Sequence, residues 1–76
     1  MILLTVDGCE YCKKVKTYLK SKNINYEEYN LSKKENREMR KHYRNSNYET
    51  FPVLENDGWS IEGYNLTLMK ELLNGK

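Results

Sequence analysis

Five apolar or β-branched residues in a row, Ile2-Leu3-Leu4-Thr5-Val6, run into the breaker Asp7-Gly8, and Cys9-Glu10-Tyr11-Cys12 follows at once. A short continuous run of this kind reads as a buried strand. Beyond it, Tyr11, Val15, Tyr18 and Leu19 fall at helical spacing up to about Lys22, with lysines at 13, 14, 16, 20 and 22 covering the other faces. The spacing therefore predicts a strand, a tight turn and an amphipathic helix, with a Cys-x-x-Cys pair at the junction.

Seventy-six residues make one domain with a thin core, since 38% of the chain is hydrophobic and 32% charged. The apolar residues nevertheless cluster in organised segments, which argues against a disordered chain. A net charge of +2 is too near balance to point to nucleic acid. The first apolar run is too short for a secretory leader or a membrane span, so the expectation is a cytoplasmic protein with no membrane association. In a reducing compartment two cysteines this close are catalytic or metal-binding rather than structural, because so small a loop removes little unfolded-chain entropy.

The remaining elements follow from periodicity and punctuation. Ile24 to Leu31 alternates loosely as a second strand, and Ser32, with Glu35 three residues on, reads as the N-cap of a helix over roughly Lys33 to Arg44. Asn45-Ser46-Asn47 is a loop. Phe51-Pro52-Val53-Leu54 and Trp59-Ser60-Ile61 flank Asp57-Gly58 as an antiparallel hairpin. Asn65 caps a last helix with Leu66, Met69, Leu72 and Leu73 on one stripe. The order β-α-β-α-β-β-α joins the first two strands through a helix, which requires a parallel pair with a right-handed crossover.

The chemistry lies in the cysteines. At the start of a helix Cys9 meets unpaired backbone N–H groups and the positive end of the helix dipole, which favour its thiolate, with Lys13 and Lys14 adding to the effect and Glu10 opposing it. Cys12, one turn further in on the side of Val15 and Leu19, is less exposed and suits a resolving thiol. Half of a zinc site is the alternative, but zinc calls for four ligands and His42 is the only other soft candidate. His42 itself, among Arg40, Lys41 and Arg44, reads as a solvated surface residue. Pro52 can start a strand in trans or follow a cis peptide bond, and the residues alone leave both open. The backbone of Glu62-Gly63-Tyr64-Asn65 ahead of the last helix can receive an anion, or serve as a plain turn and cap.

Taken together, Cys9-Glu10-Tyr11-Cys12, Thr50-Phe51-Pro52-Val53 and Ile61-Glu62-Gly63-Tyr64-Asn65 resemble, in order and spacing, the three motifs of the glutaredoxin family. The resemblance implies an α/β thioredoxin fold, a four-stranded mixed sheet with three helices, and a cis bond before Pro52. It implies thiol-disulfide exchange with Cys9 attacking and Cys12 resolving, no permanently bound cofactor, and glutathione as electron donor. By the same resemblance Tyr11, Phe51, Pro52, Gly63, Tyr64 and Asn65 bind the tripeptide, and disulfide-containing proteins are the clients of a monomeric enzyme. It leaves open which basic residue meets the glycine carboxylate.

This chain departs from the family pattern at Glu10 in place of proline, Glu62 in place of glycine, Asn65 in place of an acid, and Asp7 near a common glutathione-binding lysine. Added carboxylates repel an anionic tripeptide. Similar redoxins draw electrons from thioredoxin reductase and serve ribonucleotide reductase, which is the competing expectation. An iron-sulfur or zinc module, with the cysteines as ligands, is the alternative of another class.

Overall fold

The structure is a computed structural model that describes residues 1–74. The first strand, β1 (Ile2–Thr5), leads through Asp7-Gly8 into α1 (Glu10–Ser21), and β2 (Glu27–Asn30) follows. A 3-10 turn over Lys34–Asn36 opens directly into α2 (Arg37–Asn45). The hairpin of β3 (Val53–Asn56) and β4 (Trp59–Glu62) precedes α3 (Leu66–Asn74). The sheet order is β2-β1-β3-β4, with β1 parallel to β2 and antiparallel to β3, and β3 antiparallel to β4. This is the four-stranded, three-helix thioredoxin arrangement that the sequence predicts.

The apolar run is explained by its place between two strands, where both faces of β1 are covered. Alternate side chains point to opposite faces of a sheet. Leu3 therefore joins Leu54 and Ile61 beneath α1 and α3, against Val15, Leu19 and Met69. Leu4 joins Val53 and Leu31 on the other face, where Met39 and Tyr43 of α2 close over them. The one buried polar residue among those described, Thr5, donates its hydroxyl hydrogen to Glu28 Oε2 at 2.8 Å. Glu28 in turn pairs with Lys16 of α1 at 3.2 Å along the exposed edge of β2.

Three boundaries differ from the sequence reading. The second strand is only four residues long, because Ile24 and Tyr26 pack on the α1/α3 core before pairing begins. Ser32 does not cap α2; its Oγ accepts the N–H of Asp7 at 3.0 Å, and α2 starts after the 3-10 turn without a side-chain cap. On α3 the residue beside Met69, Leu72 and Leu73 at the core is Leu68, not Leu66. The hairpin turns at Asp57-Gly58 as expected, with Gly58 at φ +80°, a conformation that favours glycine. None of the described helices is long and apolar enough to cross a membrane.

His42 is not merely a solvated residue. Its Nε2 lies 2.9 Å from Glu55 Oε2, and the Tyr48 hydroxyl donates to the same carboxylate oxygen at 2.5 Å, tying α2 and its following loop to β3. Burial first, and then this hydrogen bond, holds the Tyr48 hydroxyl above the usual tyrosine pKa; burial does the same at Tyr26 and Tyr43. A group with a raised folded-state pKa stabilises the fold below its unfolded value and loses that contribution as pH rises through the folded value. Urea denaturation should therefore show stability falling above about pH 10, with a shallower fall in Tyr48→Phe. At neutral pH, Leu3→Ala should cost about 2–5 kcal/mol in the same measurement, because Leu3 is fully buried at the centre of the sheet.

Candidate active site

Chain direction delivers the cysteines. β1 ends one residue before the Asp7-Gly8 turn, and Gly8 adopts φ +72°, which lets the backbone reverse into α1. Asp7 is held from both ends: its N–H donates to Ser32 Oγ, and Asn30 Nδ2 donates to its Oδ1 at 2.9 Å. Cys9 is the N-cap of α1, with extended backbone, and its Sγ accepts the Cys12 N–H at 3.1 Å. Cys9 and Cys12 are joined as a disulfide with their Cα atoms 5.2 Å apart.

The two sulfurs differ in access. Cys12 is 2% exposed and forms part of the inner face of α1 with Val15 and Leu19, whereas Cys9 remains partly exposed. An incoming thiolate therefore meets Cys9. The helix N-terminus supplies the N–H directed at that sulfur, an arrangement that favours negative charge there. Lys13 lies exposed in the first turn.

The other two motif segments converge on this one. The Phe51-Pro52 bond is cis. The Gly63 N–H donates to the Pro52 carbonyl at 2.7 Å, and Gly63 sits at φ +74°, so the turn before α3 is fastened against the proline. The next residue, Tyr64, lays its ring parallel to that of Tyr11, with centroids 6.0 Å apart and planes 7° apart. Lys14 Nζ stands over both rings, at 5.4 Å from Tyr11 and 5.7 Å from Tyr64. Asn65 Oδ1 accepts the Leu68 N–H at 3.0 Å, the cap read from the sequence. Every sequence-predicted site residue is thus linked by a contact or by the chain itself to the cysteine pair or the proline, Lys13 through its N–H, which donates to the Cys9 carbonyl at 3.4 Å.

Two expectations change. The Gly63 N–H is taken by Pro52 and is not open to a ligand. Glu62 is more than an intruding charge, since its Oε1 accepts the Glu49 N–H at 3.0 Å and braces the segment before Pro52. The sequence reading also missed two supports. Lys14 is three residues from Tyr11, a spacing that stacks side chains on one helix face and was open to recognition. Tyr43 stacks on Phe51 with centroids 4.4 Å apart and donates its hydroxyl hydrogen to the Thr50 carbonyl at 3.3 Å. No short-range signal marks that contact. Among the described residues no group of three or more His, Cys, Asp or Glu side chains is placed to hold a metal ion.

A partly exposed sulfur bonded to a buried one at a helix N-terminus, on this sheet and beside a cis proline, defines a dithiol-disulfide oxidoreductase of the thioredoxin fold. A glutaredoxin family model matches residues 1–61. Over 67 residues the chain is 40% identical to an uncharacterised glutaredoxin-like 8.6 kDa protein in the rubredoxin operon of Clostridium pasteurianum, covering 86% of this chain and 85% of that one. The protein belongs to the glutaredoxin family. Among solved structures, the glutaredoxin-like NrdH-redoxin from Escherichia coli superposes with a TM-score of 0.83 at 18% identity, over 93% of this chain and 91% of that one. A glutaredoxin from Archaeoglobus fulgidus gives 0.80 at 23% identity, over 97% and 85%. At those identities the likeness is one of fold.

Asn65→Ala removes the α3 cap, and should lower stability by about 1 kcal/mol in urea titration. Asn65→Asp, which keeps an acceptor oxygen at the same place, should leave it near the starting value.

Proposed function

We propose that the protein reduces disulfides in client proteins, and glutathione mixed disulfides, by dithiol exchange in a reducing cytoplasm. The observation that carries this reading is the unequal access of two bonded sulfurs. In the reduced form the Cys9 thiolate attacks one client sulfur, forming a mixed disulfide and releasing the other client sulfur as a thiolate, which takes up a proton. Cys12, having lost its proton, attacks Cys9 Sγ. The second client thiol leaves, and two electrons have passed from the pair to the client, closing the Cys9–Cys12 disulfide. Phe51 supports the approach of an extended client, because neither of its main-chain polar groups is hydrogen-bonded among the described residues.

The donor that recharges the pair is read from charge. Glutathione as donor is supported by family membership and by the joined segment of Tyr11, Phe51, Pro52, Gly63, Tyr64 and Asn65. The carboxylates of Asp7, Glu10 and Glu62 favour instead a protein donor of the thioredoxin reductase type, with ribonucleotide reductase as a matching client. Asp7 is held by Asn30 of β2 and Glu62 by the Glu49 N–H, so neither carboxylate swings freely away from an anionic tripeptide. We adopt the protein donor as the better supported reading.

The test compares reduction of the oxidised protein by glutathione with reduction by NADPH and thioredoxin reductase. Rapid turnover with the reductase and slow turnover with glutathione is expected; the reverse ranking returns the donor role to glutathione. Cys9→Ser should abolish all exchange. Cys12→Ser should still capture a client through Cys9 but stall at the mixed disulfide, and a Cys12→Ser variant that completes reduction of protein disulfides would sink the assignment of roles. Metal analysis and a visible spectrum of freshly purified protein decide the alternative of an iron-sulfur or zinc module.

A further inference from the structure

Beside Phe51, on the α2 side of the sheet, lies a groove of about 520 Å³. Val6 and Phe51 belong to its apolar lining, Tyr43 stands against Phe51 as an aromatic wall, and Arg40 and Arg44 of α2 contribute two cations. Neither guanidinium makes an ion pair among the described residues, whereas His42 on the same helix is paired with Glu55. Arg40 and Arg44 are four residues apart, one helical turn, and so project along one face. Glu49 is the single carboxylate of the lining. Two of its lining residues adjoin the exchange site along the chain. Val6 is the last residue before the turn to Cys9, and Phe51 precedes the cis proline.

Apolar lining with two unpaired cations is complementary to a chain that presents an apolar side chain next to a carboxylate. The geometry points to a docking groove for an extended segment of the client protein, with a Leu-like side chain on Val6 and Phe51 and a neighbouring Asp or Glu at Arg40 and Arg44. This rests on the reading that client proteins are the substrates. It adds that α2 selects among them by the residues flanking the attacked cysteine. Planar guanidinium groups suit this task, because they bind carboxylates through paired N–H donors and stack on aromatic rings.

The experiment uses pre-reduced protein and two peptide disulfides that are identical except that the cysteine is flanked by Leu-Glu in one and Leu-Gln in the other. Uncharged bis(2-hydroxyethyl) disulfide serves as a small probe. The acidic peptide should react about tenfold faster in second-order rate constant, the scale expected of two partly exposed ion pairs. The preference should shrink with added salt in the unaltered protein. In the Arg40→Gln/Arg44→Gln variant the two peptides should react alike, with the rate for the small disulfide unchanged. No preference in the unaltered protein, a preference insensitive to salt, or one that survives in the variant overturns the docking groove. So does a variant that keeps the peptide preference and loses only recharging by glutathione, which would assign the groove to the tripeptide. If none of the three disulfides is reduced, the exchange reading itself fails, and the groove fails with it.

Discussion

Burial of β1 on both faces is the constraint on which the rest of the molecule depends. A strand with neighbours at both edges and helices above and below must offer apolar side chains to both faces, and Leu3 and Leu4 meet that demand by facing opposite ways. Each anchors one of the two helix layers. The same strand also sets where the chemistry happens, because its C-terminal end feeds the turn that presents Cys9 at the head of α1. Core and site therefore share one structural cause.

The residues legible from sequence were those whose role is fixed by local backbone need or intrinsic reactivity. Cys9 and Cys12 are specified by thiol chemistry, Asn65 by capping, and Gly58 by a turn that favours positive φ. The α1 and hairpin periodicities were strong enough to give their elements directly. The start of α2 was misread because the Ser32 hydroxyl, a good local cap, is claimed by Asp7 from a segment 25 residues away. Ile24 and Tyr26 looked like strand residues because burial in a connection and burial in a strand leave the same apolar mark. The pairing of Tyr43 with Phe51, and of Tyr11 with Tyr64, depends on how segments meet in space and carries no pattern in the chain.

The departures from the family pattern are absorbed into the architecture rather than merely tolerated. Asp7 became a tie between the first turn and Asn30 of β2. Glu62 became a strut for the backbone of Glu49. Each changes the field around the exchange site and also stiffens a segment that frames it. A substitution that alters charge at such a position therefore acts on reactivity and on geometry together, and the two effects separate only if an amide of the same shape replaces the acid.

The unequal exposure of the two cysteines has a bearing on survival under peroxide. An oxidant reaching the accessible Cys9 converts its thiolate to a sulfenic acid, which a second equivalent can drive on to the irreversible sulfinic acid. Cys12 lies one helical turn away and is sheltered from the same oxidant. It condenses with the sulfenic acid, water leaves, and the damage ends as the ordinary disulfide. The buried thiol is thus a safeguard as well as a reactant, returning the pair to the same Cys9–Cys12 disulfide seen in the structure.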